Sequence, residues 1–284
     1  MNKITYSKNS EYKFNKSLTV GKFSSIFLFV LFLVGCSTVP YTNRTQLMLV
    51  SEKTAEQMGN MAFNEVKVET ISLNNSKMDS AVNRVGTNIS KAADKSEYQW
   101  KFLVVESNDA NAFCLPGGKV VVYSGLFKYI KNDGELATVL GHEIAHAIAR
   151  HSGERISQGY VESFGGIAID TTLAIFGIPG IFGSVYSVAA HLGVNLPFSR
   201  TQEYEADYIG LMLMAKAGYD PDTAIVFWKD FSKESDYGSI KEFFTTHPMG
   251  KKRIQELKDL LPKAEKIYAS NHIKLGVGER ISST

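Results

Sequence analysis

The chain has 284 residues, of which 44% are hydrophobic, 11% aromatic and 21% charged. These fractions exclude a collagen, a disordered chain and a multi-span membrane protein, and the length allows one domain with a sizeable core, or two small ones. The formal net charge of +2 is concentrated near the N-terminus, where five lysines and one glutamate precede Cys36, and the rest of the chain is slightly acidic. A nucleic-acid-binding surface is therefore not expected.

Residues 1–35 have the pattern of a signal peptide. Polar, lysine-bearing residues 1–22 come first, and an apolar run of about a dozen residues follows over 23–34. A membrane-spanning helix needs roughly 20 apolar residues. The run therefore favours a cleaved secretory signal over a transmembrane anchor.

The apolar run ends in Leu33-Val34-Gly35-Cys36, which resembles the lipobox of bacterial lipoproteins. This resemblance implies that Cys36 is acylated and becomes the first residue of the mature protein. Ser37 follows instead of an aspartate, which in lipoproteins of two-membraned bacteria implies sorting to the outer membrane. We therefore predict lipidation of Cys36, a tether over 36–50 and a lipid-anchored location at the outer membrane, facing the periplasm.

Two helices are predicted after the tether. Helical spacing begins at Ser51 and runs through four apolar positions, Met58, Met61, Ala62 and Val66. A second helix is predicted over 78–93, with an apolar face formed by Met78, Ala81, Val82, Val85 and Ile89.

A small antiparallel sheet is predicted next. Residues 100–105 form an apolar strand, and two further candidate strands cover 111–115 and 119–123. Pro116-Gly117-Gly118 lies between the last two and has the composition of a hairpin turn.

The helix that follows has well-defined ends. Asn132, with Glu135 three residues later, matches a capping box at its start. Arg150 and His151 suit the last turn as basic residues, and Gly153 suits the left-handed residue beyond it. Apolar residues recur around the helix, so we predict that it is buried on more than one side.

The sequence His142-Glu143-Ile144-Ala145-His146 inside this helix is an H-E-x-x-H motif. Residues four apart share one face, so both imidazoles can reach one metal ion, while Glu143 lies about 100° round the helix and can reach the attacking water. The alternative is a pair of structural core histidines. The position of the motif on a capped helix directly after a hairpin favours a zinc site.

A catalytic zinc site needs three protein ligands and an open position. The long metzincin motif is excluded, because Ala149 and Ser152 stand where that motif requires glycine and histidine. On a continuous helix His151 would point away from His142. We therefore predict that His151 is a solvated residue at the end of the helix, interacting with the helix dipole.

A capping box at the start of residues 199–218 predicts the helix that supplies the third ligand. Glu203 and Asp207 share one face of this helix, whereas Glu205 points to nearly the opposite side. The spacing favours Glu203 as a ligand and Asp207 as the acceptor that orients a ligand histidine. The alternative is a solvated acidic helix start that the dipole favours.

The H-E-x-x-H motif together with S-R-x-x-E-x-x-A-D, which here runs from Ser199 to Asp207, resembles the gluzincin metallopeptidases. That family includes the CAAX prenyl proteases, the HtpX heat-shock proteases and lipoprotein proteases of bacterial outer membranes. The resemblance covers roughly 45–262. It implies one zinc ion per chain, bound by His142, His146 and Glu203, with Glu143 as the general base.

Further matches to the same family lie on both sides of the zinc helix. Asn111, Ala112 and Phe113 match the edge strand along which a substrate backbone lies. Arg200, Asp207 and Arg253 match residues that surround the ligands.

Thr246-His247-Pro248 is also similar to a family segment that approaches the active site. His247 is therefore a candidate donor to the oxyanion, or a fourth metal ligand that holds the enzyme inactive. The alternative is a helix-start residue with Pro248 at the first helical position.

Residues 164–194 carry a single charge, Asp170, and several glycines. Pro179 divides this segment into two pieces that are each too short to span a bilayer. We predict a helical hairpin beside the active site that acts as a lid, with membrane insertion as the alternative.

Taken together, these patterns predict an α+β protein, a mainly helical zincin-like metallopeptidase domain over 51–284 with a small antiparallel sheet beside the H-E-x-x-H helix. The predicted function is that of a zinc-dependent endopeptidase of the bacterial envelope, which degrades misfolded or stalled proteins. Its partners would be those substrates and, through Cys36, the lipid bilayer. The alternatives are a non-catalytic zinc-binding lipoprotein that acts as a chaperone or assembly factor, and a zinc aminopeptidase.

Overall fold

The computed structural model describes residues 35–71, 73, 76–167, 198–234 and 240–281. The predicted signal peptide over 1–35 lies outside these residues except for its last position. The predicted lid over 164–194 also lies outside them, except for 164–167 at the end of a helix. Within the described part of the chain, no helix has both the length and the apolar character needed to cross a bilayer.

Residues 36–50 are folded. The two strands are β1 (Cys36–Thr38) and β2 (Thr45–Leu47). They form a two-stranded sheet, and we call residues 36–47 the N-terminal hairpin. The Val39 amide donates to the Arg44 carbonyl at 2.8 Å, and Val39 is fully buried in the main core.

The predicted tether over 36–50 is therefore wrong as a description of these residues. Gln46 is buried, and its side-chain amide donates to the carbonyl of Ala149 at 3.0 Å. The composition of the segment resembles that of a linker, because it is rich in polar residues and only Val39, Gln46 and Val50 are buried.

The two predicted helices over 51–93 are confirmed. They are α1 (Glu52–Glu69) and α2 (Ser76–Ala92). The Ser51 hydroxyl caps α1 by accepting from the Thr54 amide at 3.1 Å. The buried face of α1 is rotated from the predicted one, since Met61 is 53% exposed while Ala55, Gly59, Ala62 and Phe63 are buried. The α2 helix buries the predicted residues Ala81, Val82, Val85 and Ile89.

The predicted strands are confirmed, but the sheet is mixed. Its strands are β3 (Lys101–Val105), β4 (Ala112–Leu115) and β5 (Lys119–Tyr123), in the order β3-β5-β4. The β4 and β5 strands form the predicted antiparallel hairpin, and Gly117 and Gly118 in its turn have φ of +76° and +82°, as glycine allows. The β5 strand also pairs in parallel with β3, which the purely antiparallel expectation missed. This arrangement leaves β4 at an edge of the sheet.

Six further α-helices follow in the described part of the chain, in addition to short 3₁₀ helices over Ser124–Lys128 and Ser232–Glu234. They are α3 (Asp133–Ile148), α4 (His151–Ile167), α5 (Arg200–Lys216), α6 (Asp222–Phe231), α7 (Lys241–Thr246) and α8 (Lys251–Ser270). The Asn132 side chain caps α3 by accepting from the Glu135 amide at 2.9 Å. Nearly every residue of α3 is buried, which confirms the prediction of a helix covered on more than one side.

The end of α3 differs from the prediction. Arg150 has φ of +59°, so the left-handed residue lies before Gly153, and α4 begins directly at His151. Residues from the N-terminal end of the fold stabilise this early stop. Gln46 donates to the Ala149 carbonyl, and the Arg150 guanidinium donates to the carbonyl of Val50 at 3.3 Å.

The helices α3 and α5 touch backbone to backbone. A methyl group at Gly210 would lie 2.8 Å from the carbonyl carbon of Gly141 and 2.9 Å from the amide nitrogen of His142. Such distances are shorter than van der Waals contact, so glycine is required here for the two helices to pack at their observed separation.

Residues 271–281 join the ends of these same two helices. The amides of Asp133 and Gly134, in the first turn of α3, donate to the carbonyls of Glu279 and Val277 at 2.9 and 2.8 Å. At the other end of the segment, the Leu275 amide donates at 2.7 Å to the carbonyl of Gly218, which follows α5.

Candidate active site

Two helices and one loop bring five of the predicted site residues together. The α3 helix carries His142, Glu143 and His146, and α5 carries Glu203. His247 directly follows α7. Each of the five is at most 2% exposed, so the site is buried.

Four of these side chains form a group of potential metal ligands. One ligand atom from each of His142, His146, Glu203 and His247 lies within 4.8 Å of the others. The Nε2 atoms of His142 and His146 are 3.1 Å apart, and Oε1 of Glu203 lies 3.3 Å from His146 Nε2 and 3.1 Å from His247 Nδ1. Nitrogen and oxygen ligands placed tetrahedrally around zinc are about 3.3 Å apart. The donor set and its spacing therefore fit a zinc ion.

Glu143 lies beside this group. Its Oε1 lies 3.5 Å from Nε2 of His247 and accepts no hydrogen bond from the described residues, although it is fully buried. Burial raises the pKa of the Glu143 carboxyl. A buried carboxylate with an open acceptor atom is suited to take a proton from a small molecule such as water.

The charges of the cluster are unevenly distributed. Burial alone would raise the pKa of Glu203, but Arg253, His247 and His142 hold it well below its usual range. Burial opposes protonation of His142, yet Glu203 and Asp207 outweigh it and raise its pKa to about 9. The anionic Glu203 gives the pocket the negative charge that a divalent cation requires.

Asp207 and Arg253 support His142, and we call these two residues the Asp207 arm. Nδ1 of His142 lies 3.1 Å from Oδ1 of Asp207. Arg253 donates to both oxygens of Asp207 at 2.7 Å, and it also donates to Glu203 and to the Pro248 carbonyl. The structure therefore places Asp207 and Arg253 where the sequence analysis expected them, next to the ligands.

His146 is supported by residues that the sequence analysis placed elsewhere. His151 is fully buried, not solvated, and its Nδ1 lies 2.8 Å from Nδ1 of His146. Its Nε2 lies 3.0 Å from Oε2 of Glu205, the residue expected on the far side of its helix. The prediction for His151 was wrong because α3 ends before it, and the turn at Arg150 brings its ring back toward the site.

Glu205 in turn contacts the N-terminal hairpin. It accepts hydrogen bonds from the Arg44 guanidinium at 2.9 Å and from the Thr42 hydroxyl at 2.7 Å. Burial opposes ionisation of Glu205, but its hydrogen bonds with His151, Arg44 and Thr42 lower its pKa to about 2. We call His151, Glu205, Thr42 and Arg44 the His151 arm.

Two aromatic rings pack against His247. Phe198 stacks on His146, with 3.9 Å between ring centroids, and also on His247 at 5.3 Å. Phe243 stacks on His247 at 4.7 Å. Neither phenylalanine was predicted as a site residue, although Phe198 is an apolar residue directly before the capping box of α5.

His247 is not a helix-start residue. The α7 helix ends at Thr246, and α8 begins only at Lys251 after an intervening loop. The alternative reading with Pro248 at a first helical position is therefore wrong.

Two other groups of predicted site residues have different outcomes. Arg200 is exposed at the start of α5, and among the described residues it forms no hydrogen bond or ion pair with the cluster. Its prediction as a neighbour of the ligands is wrong, because the first turn of α5 directs it outward. Ala112 and Phe113 lie in β4, at the edge of the sheet, and Asn111 is buried directly before it.

Comparison with known proteins identifies similar sequences. The family model described as "Peptidase family M48" matches residues 76–261. The mitochondrial metalloendopeptidase OMA1 of Schizosaccharomyces pombe is 35% identical over 231 residues, covering 80% of this chain and 67% of the relative. OMA1 of Saccharomyces cerevisiae is 32% identical over 290 residues, covering 93% of this chain and 81% of the relative.

A bacterial protein is also similar. The "Beta-barrel assembly-enhancing protease" of Escherichia coli is 25% identical over 211 residues, which cover 72% of this chain but only 43% of the relative. The chain thus spans most of the yeast relatives and less than half of the bacterial one.

Proposed function

The chain belongs to peptidase family M48 and is a zinc metalloendopeptidase, and on this premise we propose that it degrades misfolded or stalled proteins of a bacterial envelope. The observation that carries the proposed reaction is the buried cluster of His142, His146, Glu203 and His247 with the free acceptor atom of Glu143 beside it.

We assign zinc binding to His142, His146 and Glu203. When bound, zinc supplies a Lewis acid that polarises the scissile carbonyl and lowers the pKa of water toward 7. The chain itself holds the ligand atoms at fixed separations. It also keeps Glu203 ionised through Arg253, which donates to it directly.

Glu143 is the general base in this proposal. Its carboxylate accepts the proton of the attacking water and then delivers that proton to the leaving amine. Burial raises the pKa of Glu143, which increases its affinity for a proton during the reaction. Its unpartnered Oε1 provides the acceptor atom for the first of these transfers.

His247 has two successive roles in this proposal. In the resting enzyme its Nδ1 completes the ligand group, 3.3 Å from Nε2 of His142. A site with four protein ligands is closed and suits a structural metal, whereas catalysis needs an open position. When a substrate enters, His247 leaves that position and donates a hydrogen bond to the oxyanion.

The edge strand β4 is the proposed binding surface for the substrate backbone. Its outer side pairs with no other described strand, so an extended peptide can add to the sheet there. Recognition through backbone hydrogen bonds does not require a particular side-chain sequence. This property suits an enzyme whose substrates share an unfolded conformation.

The location at the outer membrane is supported by the sequence around Cys36. Acylation there would attach the enzyme to the bilayer, since each buried CH₂ contributes about 0.8 kcal/mol. The thiol is exposed at the start of the N-terminal hairpin. The bacterial relative, whose name links it to β-barrel assembly, supports an envelope role, whereas the yeast relatives are mitochondrial.

The reaction can be tested with the full-length chain and its Glu143→Gln variant. We expect the wild type to cut an unfolded protein at internal bonds, and the variant to be slower by about 10²–10⁴-fold while keeping its zinc. Equal turnover by the two proteins would contradict the role of Glu143.

The products separate the alternatives. Release of single N-terminal residues would indicate an aminopeptidase. Protection of the unfolded protein from aggregation by both proteins, without cleavage, would indicate the non-catalytic chaperone. Labelled palmitate incorporated into the wild type but not into Cys36→Ser would support the lipid anchor, and equal labelling would contradict it.

A further inference from the structure

The orientation of His146 depends on a proton that it shares with His151. Nε2 of His146 faces the ligand group, 3.1 Å from Nε2 of His142. A neutral imidazole has one donor and one acceptor nitrogen, so a His146 that ligates through Nε2 must carry its proton on Nδ1. Nδ1 of His151, at 2.8 Å, must then accept that proton in a hydrogen bond.

The same rule fixes the proton of His151. Since its Nδ1 accepts, its Nε2 must carry the proton and donate it, and Oε2 of Glu205 is the acceptor at 3.0 Å. A carboxylate can only accept, so Glu205 selects one direction for the whole series. Glu205 can only accept, and it acts on His146 through His151. Nε2 of His146 therefore presents its lone pair to the metal position.

Glu205 is fixed by the N-terminal hairpin. The Arg44 guanidinium donates through Nε and Nη2 to the two oxygens of Glu205 at 2.9 Å, and the Thr42 hydroxyl donates to Oε1 at 2.7 Å. The other side of the guanidinium donates to both oxygens of Glu154, at 2.6 and 2.7 Å. Glu154 and Glu205 are both buried, at 4% and 2% exposed, so Arg44 bridges two carboxylates and offsets part of their negative charge.

We infer that Arg44 and Thr42 are positioning residues for the metal ligand His146, acting through Glu205 and His151. This inference rests on the proposed function, because it takes His146 as a zinc ligand. Only the planar fork of an arginine can bind two carboxylates in this geometry, since a lysine offers a single point charge. The N-terminal hairpin is thus part of the metal site, although none of its side chains reaches the metal position.

The test measures zinc affinity, by chelator competition, in the full-length chain. Loss of a residue that supports a metal ligand typically weakens metal binding 10–100-fold. We expect a loss in this range for His151→Phe and Arg44→Ala, and a smaller loss for Arg44→Lys. Thr42→Val should weaken zinc binding. Thr42→Ser keeps the hydroxyl and should bind zinc as tightly as the wild type. Cobalt in place of zinc should show an altered visible absorption spectrum in Arg44→Ala, because His146 would be misoriented.

Two control variants remove contacts of the same kind elsewhere. Tyr41→Ala loosens the same hairpin by removing its contacts with Tyr208 and Lys216 but does not touch Glu205. Arg84→Ala removes a bidentate arginine–carboxylate pair with Asp133, at the far end of α3. Both should lower the unfolding midpoint and leave zinc affinity and the cobalt spectrum as in the wild type.

A double variant tests whether Arg44 acts through His151. If it does, Arg44→Ala should add little to the loss of affinity in His151→Phe, whereas Arg84→Ala should combine additively. Full additivity of Arg44→Ala and His151→Phe would overturn the inference. It would also be overturned if Arg44→Ala and Thr42→Val behaved like the two controls. If Arg44→Ala does not fold, the zinc affinities of Thr42→Val and Thr42→Ser test the inference instead.

The design separates this inference from the proposed function. If His146→Ala binds zinc as tightly as the wild type, the zinc assignment itself fails. If His146→Ala loses zinc and the Arg44 and Thr42 variants keep it, only the inference fails.

Discussion

The two histidines of the H-E-x-x-H motif are supported in different ways by the Asp207 arm and the His151 arm. In the Asp207 arm a carboxylate faces His142 directly, and Arg253 holds that carboxylate through two hydrogen bonds. In the His151 arm a second imidazole stands between His146 and its carboxylate, and the arginine comes from the start of the fold.

Equivalent support for a metal ligand can therefore come from residues that lie close together in sequence or far apart. Both arms end in a carboxylate bound by an arginine. This carboxylate faces Nδ1 of His142 directly in one arm and acts on Nδ1 of His146 through His151 in the other. The carboxylate of the Asp207 arm lies one helical turn from the ligand Glu203, and its arginine, which comes from α8, is only 7% exposed. The His151 arm needs a helix break and a hairpin from a distant part of the chain.

The largest loss of zinc is expected on substitution of Glu203, which lies next to both histidines that the arms support. Glu203 lies 3.5 Å from Nε2 of His142 and 3.3 Å from Nε2 of His146, so Glu203→Ala should disable both halves of the site. We expect nearly complete loss of zinc, measured as metal per chain after dialysis. Glu265→Ala, an exposed carboxylate on α8, is the control and should keep its zinc. Retention of zinc by Glu203→Ala would show that the arms support something other than a metal site.

His247 belongs to neither arm, and its removal should mainly affect the reaction rate. If His247 donates to the oxyanion, His247→Ala should lower kcat by about 10²–10³-fold, as for other lost oxyanion donors. Zinc should remain, because three ligands are left. Increased proteolysis would show that His247 only blocks the site, and unchanged proteolysis would assign it to packing between Phe198 and Phe243.

A matched pair of amide substitutions compares the arms directly. Asp207→Asn and Glu205→Gln each replace a carboxylate by a neutral group of the same shape. We expect both to weaken zinc binding, Asp207→Asn by close to 100-fold and Glu205→Gln by closer to 10-fold. The order follows from the extra imidazole that separates Glu205 from its ligand. The reverse order in chelator competition would mean that the His151 arm contributes more to metal binding.

The smallest effect is expected at the contact between α3 and α5. Gly210→Ala places a methyl group against the backbone of Gly141, and such overpacking should lower the free energy of unfolding by about 1–3 kcal/mol. Gly153→Ala is the control, because its methyl group would meet only the flexible Met48 side chain, at 3.0 Å. Urea unfolding measures both, and equal stability of the two variants would show that the helices tolerate a wider separation.

Within the Asp207 arm, Asp207 could be predicted from the sequence because helical spacing alone places it beside Glu203, whereas Arg253 was expected only from the family resemblance. Helical geometry also grouped His142, Glu143 and His146, and a capping box correctly marked the start of α5. Such predictions need only a local rule, that residues four apart on a helix share a face.

The His151 arm could not be predicted in this way. Its geometry depends on Arg150 adopting a left-handed conformation that is uncommon for a residue with a side chain. The contacts of Gln46 and Arg150 with neighbouring carbonyls stabilise that turn, and they join segments about a hundred positions apart in sequence. The parallel pairing of β3 with β5 was missed for a similar reason, because strands adjacent in sequence were expected to pair.

The segment 271–281 has a consequence for the order in which the enzyme is made. It supplies acceptors for the first amides of α3 and a donor for the carbonyl that follows α5, and helix ends without such partners are destabilised. During translation these residues emerge after every zinc ligand and after His247. A nascent chain that already contains the whole ligand set therefore still lacks the bonds that fix its two ligand-bearing helices. The two ligand-bearing helices would then be fixed only once this last segment has joined the fold.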